Sequence, residues 1–323
     1  MHVVEVERFG GPEVLVWRER PDPVAGPGQV VVAVSVADVL FVETQVRSGW
    51  GRDFFTVEPP YVPGDAAGGE VISVGKGVDP SWLGRRVIAR ANELGAYAER
   101  VVAPLEALTP IPDGVGTREA VALVHDGPTA LGVFGNAPVG PDTTVLIVAA
   151  AGGMGSLLVQ LAHAAGARVI GTARGERKLE TVRKLGADEA VDHGAADWPD
   201  RVRELTGGVG AEVVFDGAGG PLGGAAFAVT ADGGHFSAHG AAAGDFAEID
   251  EAEAARRGIT VHGIQQVWFP PQEYGGWVER ALGEAAAGRI TPTIGAVLPL
   301  RRAAEAHAAV EARQVVGKAL LEV

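Results

Sequence analysis

The feature of the sequence that most restricts the fold is an alternation over residues 143–264. Apolar, strand-like segments alternate there with segments of helical periodicity. The strand-like segments lie at 143–150, 168–173, 189–193, 211–217, 234–240 and 259–264. Helices are predicted between them at 154–165, 176–185, 198–205 and 222–230. Strands that alternate with helices form a parallel sheet covered on both faces, so we expect a doubly wound α/β domain here.

The first 110 residues predict a different structure, with short strands separated by turns at 3–8, 29–36, 70–74, 86–90 and 97–102. Short strands at close spacing are typical of a small barrel or sandwich. Helical periodicity follows over 117–135. Beyond residue 264, helices are predicted at 276–287 and 301–312 and a last strand at 318–323. This C-terminal segment is too short to form a domain, so we expect it to dock on the first one.

The composition excludes several classes of protein. The 323 residues include 27 Lys and Arg against 41 Asp and Glu, and the formal net charge of −14 repels nucleic acids and anionic membranes. Cysteine is absent, which excludes disulfides, thiol nucleophiles and thiolate metal sites. The N-terminus lacks a signal-peptide pattern, and no apolar run approaches the ~18 residues of a membrane-spanning helix. We therefore expect a soluble cytoplasmic protein without nucleic-acid or membrane partners.

A glycine-rich turn follows the first strand of the α/β region. Residues 150–155 read AAGGMG, the dinucleotide pattern G-x-G-x-x-G with alanine at the first glycine. A side chain at Gly152 would block a pyrophosphate, and one at Gly155 would hold the helix off the strand. The N-terminus of the following helix adds N–H donors and a positive dipole. The loop predicts a dinucleotide site; the alternative is an ordinary turn in a chain with 47 glycines.

The residues after the second strand determine which nicotinamide cofactor, NAD or NADP, the domain is expected to bind. Arg174 follows that strand, and Lys178 lies one helical turn further on. A carboxylate here would bind the ribose hydroxyl of NAD, whereas cations accept the 2′-phosphate of NADP, and arginine can do so in a bidentate manner. We therefore expect NADPH. The alternative is a solvated helix start, with Glu176 as a competing carboxylate.

Several short motifs, in this order and spacing, resemble the zinc-independent quinone oxidoreductases of the medium-chain dehydrogenase/reductase (MDR) superfamily over nearly the whole chain. They are FVETQVRSG (41–49), YVPG (61–64), GPTA (127–130), AAGGMG (150–155), GAD (186–188), VFDG (214–217) and GK (317–318).

The resemblance implies an α/β fold in two domains. A GroES-like β-barrel catalytic domain would occupy 1–122 and be completed by 266–323. A Rossmann NADPH-binding domain, with the doubly wound parallel sheet, would occupy 123–265. The resemblance also implies a substrate cleft between the domains and a homodimer formed through the strand at 259–264.

Zinc-dependent relatives carry metal ligands at positions that here read Leu40, Asp65 and His125. Leucine cannot bind a metal, and Asp65 with His125 falls short of the three protein ligands of a catalytic zinc site. The segment 90–101 is too short for the four-cysteine lobe of those relatives. The resemblance therefore implies no metal; a site formed by Asp65, Glu70 and His125 is the alternative.

The resemblance also implies cofactor contacts. Thr129 would lie near the nicotinamide, together with residues 239–240 after the fifth strand. Lys178 would reach the 2′-phosphate, and His193 stands where relatives often carry a phosphate-binding tyrosine. Arg313 would reach the cofactor or, alternatively, be an ordinary charge at a helix end. With Arg174 and the glycine-rich loop, the expected set is Thr129, Gly152, Gly153, Met154, Gly155, Arg174, Lys178, His193, His239, Gly240 and Arg313.

An apolar, partly aromatic set of residues is expected to line the substrate cleft: Leu40, Phe41, Trp50, Phe54, Phe55, Tyr61, Trp268 and Phe269. Such walls suit planar apolar substrates. No catalytic residue is assigned, because Gln45 stands where alcohol-dehydrogenating relatives carry a histidine, and a carboxamide cannot shuttle protons. Tyr61, His125 and ordered water are the candidate proton donors.

These expectations lead to several hypotheses about the function of the protein, some for an enzyme and one for a non-catalytic protein. The first is NADPH-dependent hydride transfer to quinones or related conjugated carbonyl compounds, whose reduced product needs no positioned acid. The second is reduction of enones or enals, which requires a proton at the α-carbon. Leu40, which replaces an asparagine of quinone-reducing relatives, leaves the choice between them open. The third is a non-catalytic NADPH-binding structural or sensing protein, and a zinc alcohol dehydrogenase is the remaining alternative.

Overall fold

The computed structural model describes residues 1–53, 55–91 and 94–323, and the chain divides into two compact units. Unit 1 comprises Met1–His125, Pro270–Ala286 and Thr293–Val323. Unit 2 comprises Asp126–Phe269 and Ala287–Pro292. None of the helices in the described ranges is both long and apolar enough to cross a membrane.

The described strands are β1 (His2–Val6), β2 (Leu15–Glu19), β3 (Gln29–Val39), β4 (Ala66–Val74), β5 (Arg86–Arg90), β6 (Arg100–Pro104), β7 (Leu108–Pro110), β8 (Thr144–Val148), β9 (Arg168–Ala173), β10 (Glu189–Asp192), β11 (Ala211–Asp216), β12 (Thr230–Ala238), β13 (Thr260–Gly263), β14 (Ile294–Pro299) and β15 (Lys318–Glu322). The described helices are α1 (Phe41–Ser48), α2 (Thr117–Leu123), α3 (Asp126–Gly135), α4 (Gly153–Ala164), α5 (Glu176–Lys184), α6 (Trp198–Leu205), α7 (Gly220–Ala228), α8 (Glu251–Arg257), α9 (Pro271–Ala286) and α10 (Ala303–Glu311).

Unit 1 is built on a mixed sheet in the order β14-β15-β3-β4-β5-β7, with β6 also paired to β3. β3 is antiparallel to β15, β4 and β6. Its run of valines explains this central position, because β-branched side chains pack well on both faces of a covered strand. Val30, Val32 and Val39 are all buried. The pairing of β15 with β3 docks the C-terminal segment on the N-terminal strands.

Unit 2 contains six parallel strands in the order β10-β9-β8-β11-β12-β13. In chain order within the sheet this is 3-2-1-4-5-6, the arrangement of dinucleotide-binding domains, and it confirms the predicted doubly wound fold. Leu146, Ile170 and Val214 are fully buried because helices cover both faces. The strand order reverses between β8 and β11, so the crevice at their carboxyl ends is where such sheets bind ligands.

Two predictions in unit 1 are corrected. Residues 41–48, for which no helix was expected, form α1, whose buried face carries Glu43, Val46 and Arg47. The predicted strand at 97–102 is wrong at its start. The carbonyl of Tyr97 instead accepts the N–H of Val4 at 2.8 Å, and β6 begins at Arg100.

Two predictions in unit 2 are also corrected. The predicted helix at 222–230 begins earlier, because Pro221 fits the first turn of α7, and it ends before Thr230, which starts β12. The sequence analysis missed α8. Its signal was Asp250, whose carboxylate caps the helix by accepting two backbone N–H groups.

Candidate active site

The glycine-rich loop between β8 and α4 is shaped by close backbone contacts. A Cβ on Gly155 would lie 2.5 Å from the carbonyl oxygen of Ala149, so this position has no room for a side chain. Gly152 has φ −77° and ψ 172°, an extended conformation open to any residue, and a Cβ there would lie 3.3 Å from the same oxygen. Gly155 therefore lets helix and strand pack closely, whereas Gly152 leaves its own backbone surface bare.

The N-terminus of α4 presents hydrogen-bond donors. The N–H of Ser156 already bonds to the carbonyl of Gly152 at 2.9 Å, but the amides of Gly153, Met154 and Gly155 precede the first intrahelical bond. No side chain in the described ranges caps this end of α4. The helix dipole adds positive potential at the same point. The arrangement fits a pyrophosphate.

Arg174 follows β9 directly, and within the described residues its exposed guanidinium forms no ion pair. The expected competitor, Glu176, pairs with Arg183 at 2.5 Å instead. Asp192, at the end of β10, is engaged by the backbone, since its carboxylate accepts two N–H groups at 2.7 and 3.1 Å. Among the described residues, neither of these two carboxylates forms an ion pair with Arg174.

His193 lies beside this cation. Its Nδ1 is 3.0 Å from the Oγ1 of Thr172. Burial, reinforced by the positive charges of Arg174 and Lys178, lowers the pKa of His193 to about 4, so the ring is neutral at physiological pH. Arg174 after β9, Lys178 on α5 and the neutral ring of His193 after β10 form a set of groups that fits a phosphate monoester.

Asp216 ends β11 and organises the loops at the carboxyl edge of the sheet. One carboxylate oxygen accepts the N–H groups of Ala218 at 3.0 Å and Gly219 at 2.9 Å. Its backbone carbonyl accepts the N–H of Gly240 at 3.0 Å. A Cβ on Gly240 would lie 2.1 Å from the backbone of Gly217, so only glycine fits there. The loops after β11 and β12 are therefore locked together.

His239 lies in the same loop as Gly240, with its ring buried. The Nδ1 atom is 3.0 Å from the Oγ of Ser237, and Nε2 has no hydrogen-bond partner among the described residues. Burial lowers the pKa of His239 to about 4, so the ring is uncharged. A buried polar atom left unpaired costs about 1–3 kcal/mol, which a polar ligand group would relieve.

Unit 1 holds a charge network centred on His125. Its Nδ1 is 2.9 Å from the Oδ2 of Asp38, and its Nε2 is 2.7 Å from the Oδ2 of Asp65. The other oxygen of Asp38 pairs with the ammonium of Lys318 at 2.8 Å. Asp38 is 1% exposed and Asp65 38%, so one carboxylate of the network is internal and the other meets solvent.

The members of this network set one another's charge. Burial opposes ionisation of Asp38, but the charge of Lys318 and the bond to His125 outweigh it and lower the pKa of Asp38. Burial likewise opposes protonation of His125, yet its bonds to Asp38 and Asp65 raise the pKa of the imidazole to about 9. His125 is therefore an imidazolium at neutral pH.

Glu43 extends the polar cluster towards a buried tyrosine. Its carboxylate accepts the N–H of Leu40 at 2.9 Å, the N–H of Asp65 at 3.2 Å and the hydroxyl of Tyr97 at 3.0 Å. The Tyr97 oxygen also lies 2.9 Å from the Nε2 of His307. Burial raises the pKa of Glu43 to about 7. Glu43 thus ties the start of α1 to the segment that carries Asp65.

This arrangement does not fit a zinc ion. Both ring nitrogens of His125 already face carboxylates, and Lys318 occupies the second oxygen of Asp38. The alternative metal site that included Glu70 is wrong, since Glu70 is exposed on β4 and approaches Gly84. No group of three metal-binding side chains occurs among residues 1–53, 55–91 and 94–323.

The remaining predicted site residues of unit 1 are partly brought together. Leu40 precedes α1, and Phe41 begins it. The guanidinium of Arg313 stacks over the ring of Phe41 at 3.9 Å. Gln45 lies on α1, and the rings of Trp50 and Phe55 are 6.3 Å apart. Burial and the charge of Glu43 raise the pKa of Tyr61 to about 12. Phe54 lies outside the described residues.

The remaining predicted residues of unit 2 lie on and beside α3. Thr129 is half-buried on this helix. The ring of Phe269 occupies the space beside Gly132, where a Cβ would lie 2.7 Å from it. Trp268 is 70% exposed.

Sequence reasoning missed Asp38 and the joint role of Glu43, Tyr97 and Lys318. The available signal was an aspartate inside the valine-rich segment that forms β3, because a charge on a buried strand requires a partner. Its partner could not be found from the sequence, since Lys318 lies 280 residues away.

Comparison with known proteins adds independent information. The family description "Alcohol dehydrogenase GroES-like domain" matches residues 26–113, and "Zinc-binding dehydrogenase" matches residues 153–279. The chain is 33% identical to the 2-haloacrylate reductase of a Burkholderia species over 323 residues, which is 98% of this chain and 97% of that protein.

Solved structures show the same fold. The quinone oxidoreductase of Escherichia coli complexed with NADPH matches with a TM-score of 0.90 at 26% identity, covering 100% of both chains. A mycobacterial protein complexed with NADPH matches with a TM-score of 0.89 at 33% identity, again over 100% of both chains. Because the likeness in sequence and fold extends from end to end, the chain belongs to the quinone oxidoreductase family of the medium-chain dehydrogenase/reductase superfamily.

Proposed function

We propose that the chain is an NADPH-dependent oxidoreductase that transfers hydride to quinones or related conjugated carbonyl compounds without zinc. The observation that carries this proposal is Arg174, an exposed cation with no carboxylate partner among the described residues, at the end of the second strand of a dinucleotide-binding sheet. Two relatives of the same fold are complexes with NADPH.

The residues of unit 2 fit this cofactor. Gly152 to Gly155 would hold the pyrophosphate through backbone N–H groups, and Arg174, Lys178 and His193 would hold the 2′-phosphate. Thr129, His239 and Gly240 stay proposed contacts, and so does Arg313, which belongs to unit 1. When bound, NADPH supplies a hydride from its nicotinamide ring. The protein's part is to orient that ring and to keep water from it.

The substrate class is proposed from the candidate site residues Leu40, Phe41, Gln45, Tyr61, His125 and Trp268, of which Leu40, Phe41, Tyr61 and Trp268 are apolar or aromatic. Flat, weakly polar carbonyl compounds suit apolar and aromatic surroundings. Quinones need no positioned acid, because solvent can protonate a hydroquinone anion. The relative from Burkholderia is named for a 2-haloacrylate, which is also a conjugated carbonyl compound.

Enone or enal reduction is the second candidate, and His125 favours it. A half-exposed carboxylate and a buried one hold this imidazolium in place, and protonation of an α-carbon calls for a positioned acid of this kind. A non-catalytic role finds no support among the relatives described above, since two are named for reductase or oxidoreductase activity.

Absence of zinc is part of the proposal, supported by Leu40 and by the carboxylates that occupy both nitrogens of His125. The domain boundaries 1–122 with 266–323, and 123–265, stay a prediction, as do the homodimer and the cytoplasmic location.

A screen of NADPH oxidation over quinones, enones and simple aldehydes tests the function. We expect turnover with quinones or enones and little with unconjugated aldehydes. Turnover only with simple alcohols and aldehydes, and its loss with a chelator, would contradict the proposal. No turnover with any acceptor would favour the non-catalytic alternative.

A further inference from the structure

We propose that His125 is the proton donor when this protein reduces the C=C bond of a conjugated carbonyl substrate, and that Asp38 and Lys318 are its positioning residues. The inference rests on the proposed function and narrows it towards activated alkenes.

The geometry of the network gives the two ring nitrogens different surroundings. Nδ1 faces Asp38, which is fully internal and fixed by Lys318 at 2.8 Å. Nε2 faces Asp65, whose side chain is 38% exposed. In many enzymes a buried carboxylate bonds to one nitrogen of a catalytic histidine and so fixes the orientation of the imidazole ring, while the other nitrogen exchanges the proton. Nε2 is therefore the nitrogen whose proton a substrate can reach, once the substrate displaces Asp65.

The charged and titratable groups that face the ring include Asp38, Asp65, Lys318 and Glu43. The ring of Tyr274 lies 6.5 Å away, and the guanidinium of Arg90 lies 4.2 Å from the centroid of that tyrosine ring. Asp38 and Asp65 lie within hydrogen-bonding distance of the imidazole, and the ammonium of Lys318 lies 2.8 Å from Asp38. The two carboxylates favour the imidazolium, so the donor is protonated at the pH of the cell, where an isolated histidine is mostly neutral.

Other candidate donors are less suitable. The pKa of the Tyr61 phenol rises to about 12, since burial and the charge of Glu43 oppose its ionisation, so it gives up a proton less readily than the imidazolium. Gln45 carries no acidic proton. Buried Tyr97 already donates to Glu43 and contacts His307. His125 also directly precedes α3, the helix that carries the proposed nicotinamide contact Thr129.

The step balances as follows. The substrate accepts a hydride at its β-carbon, its π electron pair moves towards the carbonyl, and the α-carbon takes the proton from Nε2 to form the second C–H bond. The substrate gains two electrons and NADPH is oxidised to NADP⁺. Neutral His125 then regains a proton from solvent on the side of the exposed Asp65.

The test uses an α-substituted enone, 2-methyl-2-cyclohexen-1-one, with NADPH in D₂O and compares wild type with His125→Gln. We expect the variant to lose on the order of a hundredfold or more in kcat, the size of a general-acid contribution. We also expect wild type to deliver deuterium to one face of the α-carbon, and the variant to lose this selectivity. His2→Gln, the same substitution at a 44% exposed histidine of unit 1, should change neither.

A second readout needs no cofactor. NMR titration of the histidine rings should show His125 protonated at pH 7.5, and Asp38→Asn or Asp65→Asn should lower its pKa from about 9. These variants keep the test decisive if His125→Gln does not fold. If His125 is the donor, the rate of enone reduction should drop above the pKa of His125. Asp65→Asn should move this drop to lower pH by the same amount by which it lowers the pKa of His125.

The outcomes separate this inference from the proposed function. If wild type reduces quinones but no enone, or if His125→Gln keeps the rate and selectivity, the inference is overturned and the proposed function stands. If Asp65→Asn shifts the pKa of His125 but not the pH profile, His125 is structural and not the donor. If wild type oxidises NADPH with neither class of acceptor, both fail.

Discussion

The Nδ1 of His125 lies 2.9 Å from the Oδ2 of Asp38, and this bond fixes the side chain that occupies a metal-ligand position of zinc-dependent relatives. Asp38 is itself held by Lys318, the first residue of the last strand. The bond therefore connects the C-terminal strand to the candidate proton donor. It also makes the stability of the protein depend on pH.

Stability should fall as pH rises from about 6.5 to 9. The folded state raises the pKa of His125 from 6.5 to about 9. A raised pKa means that the stabilisation is complete below pH 6.5 and is lost as pH rises through 9. Glu43, whose pKa rises from 4.5 to about 7, acts in the same direction over pH 4.5 to 7. At about 1.4 kcal/mol per pKa unit, His125 contributes up to about 3 kcal/mol to the free energy of unfolding.

Urea unfolding at each pH measures how the free energy of unfolding changes with pH, and His125→Gln should flatten this dependence between pH 6.5 and 9. Equal slopes in the two proteins would contradict this account.

Tyr97→Phe should destabilise the protein by about 1–3 kcal/mol. The substitution removes a hydrogen bond to the buried carboxylate of Glu43 and the contact of the hydroxyl with the Nε2 of His307, a ring nitrogen that is then left without this partner. Tyr61→Phe is the control, because no hydrogen bond of its hydroxyl occurs among the described residues. Denaturant midpoints measure both variants. A change in Tyr97→Phe no larger than in the control would show that the Tyr97 bonds contribute little.

Alanine at the two loop glycines should have different effects. Gly155→Ala places a Cβ 2.5 Å from a backbone oxygen and should lower the free energy of unfolding by about 1–3 kcal/mol. Gly152→Ala meets its nearest atom at 3.3 Å and should fold almost normally, yet it should weaken NADPH binding tenfold or more, about 1.4 kcal/mol. Thermal unfolding and fluorescence titration of NADPH separate the effects. Normal NADPH affinity in Gly152→Ala would show that the pyrophosphate binds elsewhere.

Purified protein should contain no stoichiometric zinc, and a chelator should not lower its activity. The reason is that Leu40 replaces a ligand and carboxylates occupy both nitrogens of His125. Elemental analysis measures the metal content directly. One tightly bound zinc ion per chain would contradict the zinc-free proposal.

The α/β unit could be predicted because its signals are local. The central strands β8, β9 and β11 of unit 2 are short, largely apolar runs bounded by turns, and the predicted segment 168–173 has the same bounds as β9. The glycine-rich loop was identified in the same way, since Gly155 and its constraint, Ala149, are six residues apart. Errors occurred where local signals are weak. α1 contains two valines and a threonine, residues of low helix propensity, and its stability depends on burial of Arg47 beside Glu311.

The charge network could not be predicted because its members are far apart in sequence. Asp38 meets Lys318 and His125 only after β3 pairs with β15 and α2 leads the chain back to the sheet. Sequence reasoning could identify His125 as a candidate donor, but its charge depends on two carboxylates that only the fold brings to the ring. The same limit applies to Arg174, since only the structure shows Glu176 paired with Arg183.

The most direct test of the central claim is the affinity for NADPH and NADH, titrated by isothermal calorimetry against wild type and Arg174→Ala, with Lys178→Ala in parallel. Contacts between a cation and an ionised phosphate contribute on the order of 1.5–3 kcal/mol, so each loss corresponds to roughly tenfold to a hundredfold in affinity. Wild type should prefer NADPH. Arg174→Ala should lose that factor for NADPH and leave NADH nearly unchanged, Lys178→Ala should lose less, and added salt should shrink both losses. A wild type that prefers NADH, or equal losses for the two cofactors, would contradict the account.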